Sequence, residues 1–386
     1  MVAFAIGWSH TAFGRRDGED VESLLLGAAA DAIADAGVEP GDIDEIFVGT
    51  FNAGLSPLNF PASLALGLAP EMRFLPATRV ENACATGAAA VLQGVRSITA
   101  GARLTLVIGV EKMTSLSTKA MGEVLRKASY VKEEAALAGG FVGIFAEVAE
   151  RYYQRFGDQS DALALIAAKN HRNGCANPYA QFRQDHGFDF CRAASERNPV
   201  IAGRLKRTDC APISDGAAAL VLADAATAAG RPKAVAFRTI QQVNDFLPTS
   251  RRDMTRLDGA AEAWRRALAA AEICLADLDF VETHDCFTIA ELMQYEAMGL
   301  TPVGKGERAI REGWTQPGGL LPVNPSGGLK ARGHPIGATG VSMHVLSAMQ
   351  LTDSAGDFQV PNARLGAVYN MGGVGVANYV SILERA

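Results

Sequence analysis

Residues 324–340 read Asn324-Pro-Ser-Gly-Gly-Leu-Lys-Ala-Arg-Gly-His334-Pro-Ile-Gly-Ala-Thr-Gly340. One histidine stands between glycine-rich turns at the mouth of a helical pattern. Glycines 327, 328, 333, 337 and 340 permit backbone conformations and close approaches that a Cβ would obstruct, and Ala338 and Thr339 are small enough for another backbone or a ligand to come near. Such a loop aims a basic side chain into a site. Two cysteine-bearing stretches are its natural partners: Glu81-Asn-Ala-Cys84-Ala-Thr-Gly-Ala-Ala-Ala90 and Glu282-Thr-His284-Asp-Cys286-Phe-Thr-Ile-Ala-Glu291. A thiol beside an imidazole is a nucleophile.

Composition narrows the function classes. A chain of 386 residues, 48% hydrophobic and 20% charged with 40 glycines, reads as a soluble, tightly packed enzyme. The net charge of −6 argues against a general nucleic-acid binder. No apolar run of about 18 residues occurs, so no membrane span is expected. Met1 to Trp8 lacks a basic leader pattern, and a cytoplasmic protein is expected. Cysteines 84, 175, 191, 210, 274 and 286 form no Cys-x-x-Cys pair, which disfavours a zinc ribbon and a redox motif, and with no leader pattern a disulfide framework is not expected.

An internal duplication organises the chain. An alanine-rich helical pattern from Glu22 to Gly37 leads through Asp42-Ile-Asp44 into an apolar strand, Ile46 to Phe51. The same order returns in Glu262 to Ala271, Asp277-Leu-Asp279 and Phe280 to His284, at an offset of 235 residues (42 to 277). Ala85-Thr-Gly87 and Ala338-Thr-Gly340 repeat at a similar offset of 253. Two α/β halves are expected, residues 1–230 and 231–386, each a buried sheet covered by helices. Residues 115–200 carry loop signals and helix patterns without buried strands, so a loop domain inserted in the first half is expected there.

Cys84 opens a small-residue helical pattern after a short strand. A thiol at a helix N-terminus meets the positive end of the dipole and unpaired N–H groups, which lower its pKa and can hold an oxyanion. The alternative is an inert buried cysteine, since free cysteine is among the most buried residue types.

The chain resembles the thiolases along nearly its whole length, through Cys84 at its helix start, Gly109-Val-Glu-Lys-Met113 after a strand, Ser214-Asp-Gly216 and Asn324 through Gly340. It departs from the common thiolase pattern twice. His284-Asp-Cys286-Phe287 stands where an Asn-Glu-Ala-Phe loop is usual, and Met371-Gly-Gly373 where a Cys-x-Gly turn is usual. Both departures resemble the sterol-carrier-protein type of thiolase and related thiolase-like proteins. The resemblance implies an α/β thiolase fold, two duplicated halves in a layered αβαβα arrangement with an inserted loop domain, and an acyl-CoA acyltransferase. It implies Cys84 as the acyl-carrying nucleophile, His334 as the group taking its proton, and Cys286 as the acid/base of the carbon-carbon step. His284 and His334 would hold the enolate oxygen, and the N–H groups of Cys84 and Gly373 the tetrahedral oxyanion.

Coenzyme A is the implied cosubstrate, with no tightly bound cofactor. Arg183, Arg204, Lys206 and Arg207 are the candidate cations for its phosphates. A Cys2His2 metal site from Cys84, Cys286, His284 and His334 is not expected, because structural zinc favours closely spaced ligand pairs and only 284 and 286 are close. His171, His186 and His344 read as surface or core residues, Asp285 as loop-shaping, and Asn324 to Lys330 as structural, since no Gly-Lys-Ser/Thr follows. Two other functions stay open: a thiolase-like retro-aldolase or C-acyltransferase with a small zinc-ribbon/OB-fold partner protein, and a non-catalytic scaffold subunit. A homodimer or homotetramer is implied, its seam expected along Leu104 to Val110 and Thr78 to Asn82.

Overall fold

Each Asp-x-Asp joint closes one turn and anchors one strand. In the computed structural model, which describes residues 3–386 and leaves Met1 and Val2 of the N-terminal stretch outside, Asp42 accepts the Glu39 N–H at 2.9 Å. Asp44 accepts the N–H groups of Arg103 and Leu104 at 2.7 and 3.0 Å. Asp277 accepts the Cys274 N–H at 2.7 Å, and Asp279 those of Arg364 and Leu365 at 2.7 and 2.9 Å. The sequence repeat is therefore a repeat of hydrogen bonds. It satisfies backbone groups where a strand enters the core, a place where an unpaired N–H would be costly.

Apart from a small hairpin of Val200–Ala202 and Leu205–Lys206, the strands are β1 (Phe4–His10), β2 (Glu45–Gly49), β3 (Ala77–Val80), β4 (Leu104–Glu111), β5 (Gly216–Ala223), β6 (Val235–Asn244), β7 (Phe280–Thr283), β8 (Leu365–Gly372) and β9 (Ala377–Arg385). In the first half β2 pairs in parallel with β3 and β4, β4 runs antiparallel to β5, and β5 antiparallel to β1. The second half repeats this. There β7 is parallel to β8 and bridged in parallel to Val323, β8 is antiparallel to β9, and β9 antiparallel to β6. The halves also share an edge, where Phe4 and Ala5 of β1 pair with Ala236 and Val235 of β6, giving one nine-stranded sheet.

Helix α1 (Val21–Ala36) covers β1 and β5 from outside. Asp20 starts it by accepting the Ser23 N–H at 2.8 Å, Gly37 ends it in the left-handed conformation, and Leu24, Leu25, Ala28, Ala32 and Ile33 form its buried stripe. Helix α5 (Asp258–Ala271) covers β6 and β9 in the same way. Between the layers run α2 (Thr86–Thr99) and α8 (Ile336–Leu351), the latter touching strands of both halves and buried almost all round. They cross in backbone contact. A Cβ on Gly87 would lie 2.6 Å from the Gly340 N, and one on Gly340 would run into the Ala88 N. This is the reason for the repeated Ala-Thr-Gly.

Residues 115–200 are mostly helical, with short helices Thr118–Arg126 and Gly187–Arg192 around α3 (Gly140–Phe156) and α4 (Ser160–Ala176). Helix α4 buries Lys169, Asn170 and His171 against α6 (Thr288–Ala297) and α7 (Gly328–Arg332). One expectation changes: the run Leu104 to Val110 is not an edge. It lies in β4, paired on both sides, and the open edge of the first half is β3, where Thr78 and Arg79 are exposed. A strand buried on both faces and an edge strand look alike in an apolar run; pairing partners alone separate them. Among the described residues, no helix is long and apolar enough to cross a membrane.

Candidate active site

Cys84 lies in the turn between β3 and α2. Ala83 takes a left-handed φ of 49°, the Thr86 hydroxyl accepts the Asn82 N–H at 2.8 Å, and Ala85 is the residue that opens the helix. The thiol is buried, with the N–H groups of Gly373 and of Cys84 itself directed at it. Gly373 takes φ 61°, a conformation that favours glycine. Burial pushes the thiol up to about 12 and outweighs both N–H groups. The expected lowering of its pKa is thus overturned. Cys84 precedes the first helical turn and is cut off from water, so desolvation of the thiolate dominates.

His284 and His334 face it from two other segments. Their rings are T-shaped with centroids 5.1 Å apart, and Cys84 Sγ and one ring nitrogen of each histidine all lie within 4.8 Å of one another. This cluster has the spacing of a metal site as well as of a catalytic one. The His334 backbone N–H donates to Ser214 Oγ at 3.0 Å, and its Nδ1 lies 2.7 Å from Thr339 Oγ1. The Thr339 hydroxyl is also 2.9 Å from the Pro335 carbonyl; with its one proton directed there, its oxygen accepts from His334, the arrangement that puts the ring proton on Nδ1 and a lone pair on Nε2. His284 Nδ1 lies 2.9 Å from Asn370 Nδ2. Neither Nε2 has a hydrogen-bond partner or contact with solvent, although the His334 ring as a whole is only half-buried. Burial, with help from Arg332, pushes His334 down to about 3; burial, then His334 and Arg332, lowers His284 well below its usual value. Both rings are neutral at rest.

Cys286 stands beside this cluster rather than in it. It is buried, and burial followed by the nearby Cys84 and Asp285 raises its thiol well above the usual value. Asp285 shapes its loop, as expected: the carboxylate accepts the N–H groups of Leu329 and Lys330 at 2.6 and 3.1 Å, where α7 begins, and the Asn170 amide at 2.8 Å. A Cβ on Gly328 (φ 60°) would run into that carboxylate. Glu282 accepts the Ser326 N–H and hydroxyl at 3.0 and 2.7 Å. The end of β7 and the turn that follows it therefore hold the segment that delivers His334.

Three contributors escape a reading of the sequence. Asn370, on the wholly buried β8, donates to the Cys84 carbonyl at 3.1 Å as well as meeting His284. Thr339 orients His334. Glu111 accepts the N–H groups of Phe51, Asn52 and Gly337 at 2.8, 3.0 and 2.9 Å, tying the end of β2 to the start of α8. An asparagine or glutamate inside an otherwise apolar strand was the available signal, since such a group is buried only with partners. Asn324 is structural: it accepts the Thr283 N–H at 2.8 Å and donates to Glu291 at 2.9 Å. His344 bonds Gly340 O and Ser381, while His171 and His186 meet edge to face elsewhere. Of the four phosphate candidates, Lys206 is buried in an ion pair with Asp209 and Arg204 pairs with Glu150. Arg183 and Arg207 donate to the carbonyls of Cys175 and Arg197.

Two family models match this chain: the thiolase N-terminal domain over residues 4–188 and the thiolase C-terminal domain-like model over residues 241–385. The chain belongs to the thiolase family. This thiolase is 36% identical over 383 residues to an acetyl-CoA acetyltransferase of Methanothermobacter thermautotrophicus, covering 98% of each chain. It is 31% identical to human sterol carrier protein 2, covering 99% of this chain and 71% of the human protein. Among solved structures, the Ltp2-ChsH2(DUF35) aldolase superposes with TM-score 0.83 at 21% identity, covering 99% of this chain and 97% of that one. A monomeric SCP2-thiolase-like protein of Mycobacterium smegmatis gives 0.76 at 17%, covering 100% and 77%. At those identities the solved structures speak for the fold alone, so neither the aldolase reading nor a small partner protein gains from them. The sequence relatives favour the acyltransferase, and this thiolase is an enzyme of that type.

A buried, protonated Cys84 predicts slow alkylation at neutral pH. With iodoacetamide, the Cys84 rate followed by peptide mass spectrometry should climb about tenfold per pH unit from 6 to 9 without levelling, because the thiolate fraction rises until the pH reaches the folded pKa. A plateau beginning below pH 7 would mean an activated resting thiolate.

Proposed function

We propose that the protein is an acyl-CoA acyltransferase that cleaves a 3-oxoacyl-CoA with coenzyme A, or in reverse condenses two acyl-CoA molecules, through an acyl group carried on Cys84. One observation carries the reading: the convergence of Cys84, His284 and His334 within 4.8 Å, with both Nε2 atoms unpartnered. In cleavage, Cys84 Sγ attacks the 3-oxo carbon and its proton passes to His334 Nε2, the only one of the two for which a lone pair follows from the neighbouring bonds above. The N–H groups of Cys84 and Gly373, already directed at the sulfur, then hold the oxyanion. As the carbon-carbon bond breaks, the enolate takes a proton from Cys286 while His284 and the now protonated His334 hold its oxygen. Coenzyme A enters next. The Cys286 thiolate removes its proton, the new thiolate takes the acyl group, and Cys84 recovers its proton from His334. The thiol form that burial gives Cys286 suits it to start as the acid.

Coenzyme A serves as cosubstrate, and no step calls for a tightly bound cofactor. A cytoplasmic location is part of the same proposal. The matching strand orders support reading 1–230 and 231–386 as the two duplicated halves. Four reactive groups from three segments have no use in a scaffold.

Cys84→Ala should give no acyl adduct by intact-mass measurement after exposure to an acyl-CoA panel, whereas Cys286→Ala should form the adduct and lose carbon-carbon chemistry. An adduct on the first variant, or full condensation by the second, would refute these roles.

A second copy of the chain is proposed to cover β3. The preceding segment carries Phe60 and Phe74, 81% and 84% exposed and both at positive φ, a backbone cost of roughly 1–2 kcal/mol each. Light scattering at micromolar concentration should give twice or four times 40.6 kDa. A mass of one chain would overturn the assembly.

A further inference from the structure

We infer that Asn370 is a positioning residue that writes the tautomer of His284, keeping its proton on Nε2 as an oxyanion donor and thereby denying the Cys84, His284 and His334 cluster to metal ions. Hydrogen-bond accounting leads there. The Asn370 amide meets three partners: the Cys84 carbonyl at 3.1 Å, His284 Nδ1 at 2.9 Å and the Ala88 N–H at 3.4 Å. A carbonyl oxygen only accepts, and a backbone N–H only donates. The amide nitrogen must therefore face Cys84 and the amide oxygen Ala88, so its orientation is settled without reference to the histidine. The same nitrogen faces His284 Nδ1. Having hydrogens and no lone pair to offer, it requires Nδ1 to accept, which leaves the ring proton on Nε2. His334 holds the opposite tautomer through Thr339, so the two unpartnered Nε2 atoms differ in kind: one accepts and one donates.

Two consequences follow. Catalytically, a neutral His284 can donate to an enolate oxygen from the start, while His334 can do so only after taking the Cys84 proton. This part rests on the function proposed above. The second is independent of that function. The three-residue cluster has metal-site spacing, yet a metal needs a lone pair on the ring nitrogen facing it, and His284 presents N–H there. Metal-binding histidines usually give their other N–H to a carboxylate or carbonyl; here an amide donor stands in that place. Position is fixed as tightly as orientation, because a Cβ on Gly340 of α8 would collide with the Asn370 oxygen.

The substitution Asn370→Asp reverses the accounting. A carboxylate takes the N–H of Nδ1 and bares the Nε2 lone pair toward Cys84 and His334. Titration with Co2+, read by its thiolate charge-transfer and ligand-field bands, should show roughly 10–100-fold tighter binding by the variant than by the wild type, the range a carboxylate behind a ligating histidine commands. The wild type is measured separately by 15N NMR with ring-labelled histidine, the His284 signals being assigned by their loss in His284→Gln. An unprotonated Nδ1 and a protonated Nε2 are expected. A protonated Nδ1, or wild-type Co2+ binding as tight as the variant's, overturns the proposal, and if Asn370→Asp does not fold the ring-nitrogen measurement decides alone. Acyl adducts on the same wild-type samples separate the two claims: the predicted tautomer without any adduct would refute the proposed function and leave this inference standing.

Discussion

The backbone contact between Gly87 and Gly340 is the constraint from which the site follows. Each of the two central helices begins with the segment that carries a reactive group, Cys84 two residues before α2 and His334 two residues before α8. Crossing near these starts, without intervening side chains, brings the two helix-leading turns together, and the closeness of the crossing also pins Asn370 between them. A larger residue at either glycine would separate the helices or force both backbones to shift, and well-packed interiors resist such shifts. The third group arrives by a different route. His284 directly follows β7; Glu282 in that strand and Asp285 just after it seize the turn before His334.

The site is built to be neutral while empty. Burying a charge without a partner is far more costly than burying a neutral group, and the directions found here all obey that rule: the thiols of Cys84 and Cys286 are raised and the imidazoles of His284 and His334 lowered. Charge then has to develop during reaction, at an oxygen that meets preorganised donors. Such an arrangement favours the transition state over the resting state, which is how electrostatic stabilisation raises a rate rather than merely tightening binding.

Much of this was legible in residue order because the fold repeats. The Asp-x-Asp joints and the Ala-Thr-Gly starts recur since each half solves the same problem of strand anchoring and helix crossing, and Cys84, His284 and His334 stood out as reactive types within glycine-rich or polar loops. What stayed hidden depends on contacts between distant segments. Asn370 is a single polar residue in a buried strand, and nothing local says that its partners are Cys84 and His284, more than 80 residues away. The thiol's raised pKa is hidden for a related reason: a helix start is visible in sequence, whereas the depth at which it is buried is not. Leu104 to Val110 resembles an open edge in sequence because pairing on both sides, supplied by β2 and β5, cannot be read from an apolar run.

The two histidines are unequal, one a base for Cys84 and the other a donor to oxygen, and the proposed chemistry depends on that difference. Rapid-quench measurement of acyl-Cys84 formation in His334→Ala and His284→Ala separates them directly. His334→Ala is predicted to slow acylation by about a hundredfold or more, the scale of a lost general base, while His284→Ala acylates within about tenfold of the wild type and fails at the carbon-carbon step. Equal slowing of acylation in both variants, or normal acylation without His334, would contradict these roles.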